Sequence, residues 1–182
     1  EGLAQAMAQS GYHVQTFSTF PSQIRGGPTW TQTRIATKEV LSSGDELDVL
    51  VAFNQYAYDS HKDDVADDGV IVYNSGEFEI EASDNALAMD FDELAKQTGN
   101  NRAANFVVMG ALAELVDLPI NILEDFNRQR YTRGRDSDQQ IIDSNNMALS
   151  LGSVEAEKSG FNLGELADPI KPEGEQVLLN GN

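Results

Sequence analysis

Two short apolar runs set the limits on what this chain can become. Leu47-Asp-Val-Leu-Val-Ala-Phe53 and Val70-Ile-Val-Tyr73 are too short for core helices and too continuously apolar for strands with one wet face. Runs of this kind read as strands buried on both faces, which belong to parallel sheets covered by helices. Between them, residues 54–65 read as a helix and Asp67-Asp-Gly69 as a turn. Strand, helix, strand in succession gives the α/β class with a largely parallel sheet.

The rest of the chain extends this pattern. Gly2 to Gly11 reads as the last turns of a helix closed by a glycine cap. Tyr12 to Phe17 and Thr29 to Ala36 alternate and read as strands, with a loop from Ser18 to Pro28 between them. Phe78 to Glu81 reads as a short extra strand and Phe91 to Gln97 as a short helix. Asn101 to Val116 is a helix with a face of small and apolar residues. Pro119 opens another at its favoured first position, running to about Arg130. Ser137 to Lys158 is a long helix. Phe161 to Gly174 is polar, holds Pro169 and Pro172, and reads as a linker. Glu175 to Asn182 begins a strand-like run, and both ends read as cuts in a longer polypeptide. The expected architecture is a three-layer α/β/α, Rossmann-like domain.

Composition excludes several functions. The 182 residues suit one domain with a real core. Acids outnumber bases 30 to 12, for a net charge of -18. Such a surface repels nucleic acid and anionic lipid. It fits a salt-adapted organism as well as an ordinary acidic protein. With no cysteine there is no disulfide, thiolate nucleophile or iron–sulfur ligand in this segment. His13 and His61 are the only histidines, which leaves little room for a His-rich metal centre. His13 reads as a strand residue and His61 as an exposed helix residue. No apolar run approaches the ~18 residues of a membrane span.

Three features carry candidate chemistry. Ser18-Thr-Phe-Pro-Ser-Gln-Ile-Arg-Gly-Gly27 joins two strands, at a strand end of the kind where α/β proteins bind ligands. In it, Arg25 offers a fork of donors for carboxylate or phosphate, Ser22 a hydroxyl, and Gly26 and Gly27 close backbone approach. A tight structural turn is the competing reading. Second, Arg128, Arg130, Arg133 and Arg135 place four of the seven arginines within eight residues. They complement a helix C-terminus, by roughly 0.3–1 kcal/mol each, or form a docking patch for an acidic partner surface or a phosphate. Third, Asn105 sits among apolar neighbours, either holding a backbone loop or facing a ligand. The acidic stretch Asp59 to Gly69 lacks the alternating ligands of a calcium loop. No phosphate-binding loop, nucleophile elbow or complete catalytic constellation is present.

Taken in order, three blocks resemble the gamma domain of the 2-oxoacid:ferredoxin oxidoreductases. They are Gly11-Tyr-His-Val with Phe20-Pro-Ser-Gln-Ile-Arg-Gly-Gly27, then Gly44-Asp-Glu-Leu-Asp-Val-Leu-Val-Ala-Phe53, then Asn101-Arg-Ala-Ala-Asn-Phe-Val-Val-Met-Gly-Ala-Leu-Ala113. Val177-Leu-Leu-Asn-Gly-Asn182 is similar to the first strand of the family's alpha domain. The resemblance therefore implies a gamma domain over residues 1–160, truncated at its N-terminus, a linker at 161–174 and the start of an alpha domain at 175–182. That is the arrangement of fused 2-oxoglutarate oxidoreductase alpha subunits. The tail argues against the related indolepyruvate enzyme.

The implied activity is oxidative decarboxylation of a 2-oxoacid, 2-oxoglutarate before pyruvate, with coenzyme A, giving acyl-CoA, carbon dioxide and reduced ferredoxin. Thiamine diphosphate, Mg2+ and an iron–sulfur cluster are expected in other domains or the beta subunit, and the location is expected to be cytoplasmic. The family's glycine-rich loop, a leading candidate for coenzyme A contacts, is expected before Glu1. Ser22, Arg25, Gly26 and Gly27 are the candidate coenzyme A or interface contacts, and Arg128, Arg130, Arg133 and Arg135 the candidate interface. No catalytic residue is assigned. The alternative is a module that only assembles subunits.

Overall fold

The computed structural model describes residues 2–20, 27–42, 44–81 and 85–170. Helix α1 (Gly2–Gln9) leads into β1 (His13–Thr19), which pairs antiparallel with β2 (Trp30–Ala36) from His13 opposite Ala36 to Thr19 opposite Trp30. A parallel sheet follows. β3 (Leu47–Ala52) crosses through α2 (Gln55–His61) and the 3₁₀ turn Lys62–Asp64 to β4 (Val65–Asn74). β5 (Ala86–Met89) lies on the far side of β4, giving the order β3-β4-β5. Four helices complete the described chain: α3 (Phe91–Gln97), α4 (Ala104–Leu115), α5 (Asn121–Tyr131) and α6 (Asp138–Ser159).

The α/β class forms as expected. Val70, Ile71 and Val72 are all buried, so β4 is covered on both faces. β3 is less enclosed: Leu50 and Ala52 are buried, whereas Val49 and Val51 are half-buried. The core joins Val70, Val72, Leu87 and Met89 of the sheet to Phe91, Val107, Ala111, Leu123 and Leu149 of the helices. Among the described residues no helix is long and apolar enough to cross a membrane.

Two local expectations are corrected. Asp67-Asp-Gly69 is part of β4 and not a turn. The register with β3 jumps from Leu47 opposite Val65 to Val49 opposite Val70, so the extra residues form a bulge. Gly69 permits it, since a Cβ there would lie 2.8 Å from the Leu47 carbonyl oxygen and 2.7 Å from Val65 Cγ1. Phe78 to Glu81 forms no strand; Phe78 instead packs its ring against Tyr58 and Tyr73. The strand in this region is Ala86–Met89, whose Ala, Leu and Met are helix formers by propensity and are drawn into extended form by pairing with β4.

Helices α4 and α6 meet backbone to backbone. A Cβ on Gly110 would lie 1.9 Å from the Leu149 carbonyl oxygen, and one on Gly152 would lie 1.8 Å from that of Val107. Residues 161–170 have no regular structure, yet they are docked on the body of the fold. Leu163 and Leu166 donate backbone N–H bonds to the carbonyls of Leu115 and Val116, and Ile170 to that of Thr37. Phe161, Leu163 and Leu166 pack against the core.

Candidate functional site

The loop singled out in the sequence joins β1 to β2, so it caps a two-stranded antiparallel ribbon and not a strand of the parallel sheet. Ser22, Arg25 and Gly26 lie outside the described residues; Gly27 is half-buried. The ribbon's end is closed by the Ser18–Thr31 hydroxyl pair at 3.1 Å. Trp30, 45% exposed, rests on the His61 ring with centroids 5.1 Å apart. His61 Nδ1 also meets Asp64 Oδ2 at 3.0 Å. The expectation of an exposed His61 is therefore corrected: it is half-buried between a carboxylate and an indole. Because α2 follows directly from β3, this contact sets the ribbon tip beside the helix that leaves the sheet's C-terminal edge.

That edge is built from its own polar groups. Asn54 caps α2, its Oδ1 accepting from Ala57 N–H at 2.9 Å, and Asp90 caps α3 by accepting from Glu93 N–H at 2.8 Å. Asn74 ends β4 and is buried. Its Oδ1 accepts from Phe91 N–H at 3.1 Å and its Nδ2 donates to Asp92 Oδ2 at 3.3 Å. Sequence reading passed over Asn74, although a lone amide closing an apolar run was a signal for it.

The Asn105 expectation also fails, because that side chain is exposed on α4. Besides Asn74, the buried amides are Asn127 on α5 and Asn145 on α6. Asn127 Nδ2 donates to the Ile142 carbonyl at 2.9 Å and to Asn146 Oδ1 at 2.6 Å. Asn145 Nδ2 donates to Asn127 Oδ1 at 3.0 Å, and Asn100 Nδ2 to Asn145 Oδ1 at 3.2 Å. These partners satisfy one another, so the network is structural.

The arginine cluster occupies the end of α5 and the turn into α6, and the structure divides it. Arg128 pairs with Asp125 at 3.6 Å, both well exposed. Arg135 Nε donates to Asp138 Oδ1 at 2.9 Å. Asp138 is buried, and its Oδ2 also accepts the backbone N–H groups of Arg133 and Arg135, at 2.5 and 3.0 Å. The Arg135 N–H leads in holding the Asp138 carboxyl down to about 2, against the opposing effect of burial; the Arg133 N–H and the Arg135 guanidinium add to the lowering. Arg130 and Arg133 are exposed and have no carboxylate partner among the described residues. Each lies over a ring: Arg130 6.0 Å from the Phe126 centroid and Arg133 5.9 Å from that of Tyr131.

A depressed carboxyl contributes stability that is fully present above its unfolded value, near ~3.9, and is lost as pH falls through its folded value. Asp138→Asn should therefore lower the urea midpoint by a constant amount above about pH 5, and that gap should close toward pH 2. A gap independent of pH over this interval would show that ionised Asp138 does not hold the turn.

One cavity, of about 200 Å³, lies where residues 165–169 cross the α4–α5 turn and the end of α1; Tyr12, Pro119, Glu165 and Asp168 are among its lining. Burial, then Asp168 and Glu165, raise the Tyr12 phenol. Asp117 beside it has φ +48°, a left-handed conformation that aspartate tolerates, and Asn162 Nδ2 donates to both its carboxylate oxygens at 3.1 Å. Among the described residues no group of three or more His, Asp or Glu side chains could hold a metal ion.

The family model for pyruvate ferredoxin/flavodoxin oxidoreductase matches residues 1–154. The ketoisovalerate oxidoreductase subunit VorA of Methanothermobacter marburgensis is 31% identical over 161 residues, covering 86% of this chain and 33% of that protein. The 2-oxoglutarate oxidoreductase subunit KorA of Mycobacterium tuberculosis is 26% identical, over 94% of this chain and 31% of its own length. The chain spans about a third of the length of these curated relatives. Among solved structures, the 2-oxoglutarate:ferredoxin oxidoreductase of Magnetococcus marinus, with 2-oxoglutarate, coenzyme A and succinyl-CoA bound, is similar at a TM-score of 0.80 and 28% identity, covering 94% of this chain and 31% of that one. The gamma subunit of a Geobacter sulfurreducens keto/oxoacid ferredoxin oxidoreductase shares the fold, at TM-score 0.65 and 20% identity over 86% of this chain and 90% of that one.

Proposed function

We propose, because this chain belongs to the pyruvate ferredoxin/flavodoxin oxidoreductase family, that it forms one part of a 2-oxoacid:ferredoxin oxidoreductase. The whole enzyme would decarboxylate a 2-oxoacid oxidatively, pass the acyl group to coenzyme A and reduce ferredoxin. The observation that carries this reading is the likeness, over 94% of the chain, to an enzyme solved with 2-oxoglutarate, coenzyme A and succinyl-CoA. It favours 2-oxoglutarate, with pyruvate retained as a further substrate. The two ketoisovalerate oxidoreductase subunits, at 31% and 32% identity, support a branched 2-oxoacid as the second reading.

Within that enzyme this segment supplies scaffold and part of the coenzyme A path. Arg25 is assigned to a phosphate or carboxylate of the ligand or of a neighbouring chain, Ser22 adds a hydroxyl, and Gly26 and Gly27 let the backbone come close. The segment has no cysteine for an iron–sulfur cluster. The family resemblance assigns the cluster, thiamine diphosphate and Mg2+ to a beta subunit, and an alpha domain to the same polypeptide. Thiamine diphosphate supplies the carbanion chemistry when bound. The isolated segment is expected to be inactive.

The test is viologen reduction without oxygen, using the full-length chain co-expressed with its partner subunit. The substrates are 2-oxoglutarate, pyruvate and ketoisovalerate, each with and without coenzyme A. Coenzyme A-dependent reduction is the expected result, and the best substrate identifies the 2-oxoacid. A complex holding thiamine diphosphate and a cluster that reduces viologen with none of them would refute this assignment and leave an assembly role.

A further inference from the structure

We propose that Arg130 and Arg133 are the docking point for a carboxylate-rich surface of a partner protein. The inference rests on the chain working inside a multi-subunit enzyme, and it narrows the four-arginine cluster to two. Arg128 and Arg135 are already engaged, by Asp125 and by the buried Asp138. Arg130 and Arg133 have no such partner among the described residues, and the Phe126 and Tyr131 rings support their guanidinium groups. Arg133 Nε donates to the Arg130 carbonyl at 3.2 Å, which ties the second guanidinium to the last turn of α5. Two supported cations with free donors lose little freedom on meeting a partner.

The occupant follows from charge. The chain carries -18 overall, so an acidic partner is repelled by most of it and attracted at a basic patch. Paired carboxylates match the planar fork of arginine. A single phosphate fits less well. The backbone N–H groups of Arg133 and Arg135 that would cradle it already donate to Asp138, whose charge opposes a second anion there.

Two measurements test this. The first follows the fluorescence anisotropy of a labelled short polyglutamate peptide on the full-length chain at low salt. Wild type should bind, with affinity falling as salt rises, and Arg130→Glu/Arg133→Glu should weaken binding roughly tenfold or more. Arg128→Glu should weaken binding far less than the double reversal, and Arg130→Gln/Arg133→Gln should fall between wild type and the double reversal. Equal binding by wild type and the double reversal overturns the proposal. So does competition by inorganic phosphate beyond its ionic strength, which would make the patch a phosphate site. The second measurement is co-elution with the partner subunit on a sizing column, which the double reversal should abolish and Arg128→Glu should spare. Normal assembly of the double reversal also overturns the proposal. Viologen results bear on the enzyme reading alone, so the two can fail separately.

Discussion

Alanine at Gly110 or Gly152 is expected to be the most damaging small substitution in the fold. By helix propensity alone the change should help, by roughly 1 kcal/mol. The tertiary contact reverses the sign. At each position the new methyl would sit below 2 Å from a backbone carbonyl oxygen of the facing helix, where ordinary contact begins at 3.4 Å. No rotamer can yield, so α4 and α6 must separate, and both carry core residues from Phe106 to Ala156. A cost of about 3 kcal/mol or more is expected, at the upper end of overpacking effects. That lowers Tm by roughly 6–12 °C for a domain of this size. Thermal unfolding of the full-length chain, followed by circular dichroism, measures it. A Tm equal to or above that of wild type would mean the helices can part freely.

Arg25→Ala is expected to raise the KM for coenzyme A about 10- to 100-fold, which corresponds to losing charge-assisted bonds of about 1.5–3 kcal/mol. The KM for the 2-oxoacid should stay where it was, because the proposed contact is with the second substrate. Arg25→Lys should recover part of the loss, since it restores charge without the fork. Steady-state kinetics of the assembled enzyme separates the two constants. Unchanged coenzyme A KM and turnover would remove Arg25 from the site, and a parallel rise in both KM values would point to a collapsed loop.

Much of the architecture was legible in local pattern. The helix at Phe91–Gln97 forms as expected, with Asp90 as its cap, and the long helix expected over Ser137 to Lys158 forms as α6, shifted by one residue. The run Val70-Ile-Val-Tyr73 is a buried strand, as an unbroken apolar run should be. Local pattern failed where a distant partner decided. Ala86–Met89 extends because β4 offers a ladder, and Asp67-Asp-Gly69 stays in its strand because Gly69 lets the backbone pass Leu47.

The candidate sites divide in the same way. Four arginines within eight residues mark a basic turn in the sequence, but only folding brings Asp125 and Asp138 to two of them and leaves the others open. Asn105 stands among apolar neighbours in the sequence and Asn127 among mostly polar ones, yet Asn127 is the buried amide, because α5 packs that face against α6. The His61 and Trp30 rings are thirty-one positions apart and meet only because the ribbon lies against α2.

By itself, the sequence determined the class of fold, the acidic surface, the absence of thiol chemistry and most element positions. These follow from periodicity, capping and composition, which act over a few residues at a time. The tertiary structure alone decided which charges are neutralised, which amides are buried, where two helices touch backbone to backbone, and that residues 161–170 are docked on the fold. Those outcomes depend on groups far apart in the chain, whose contacts exist only once the core has brought them together.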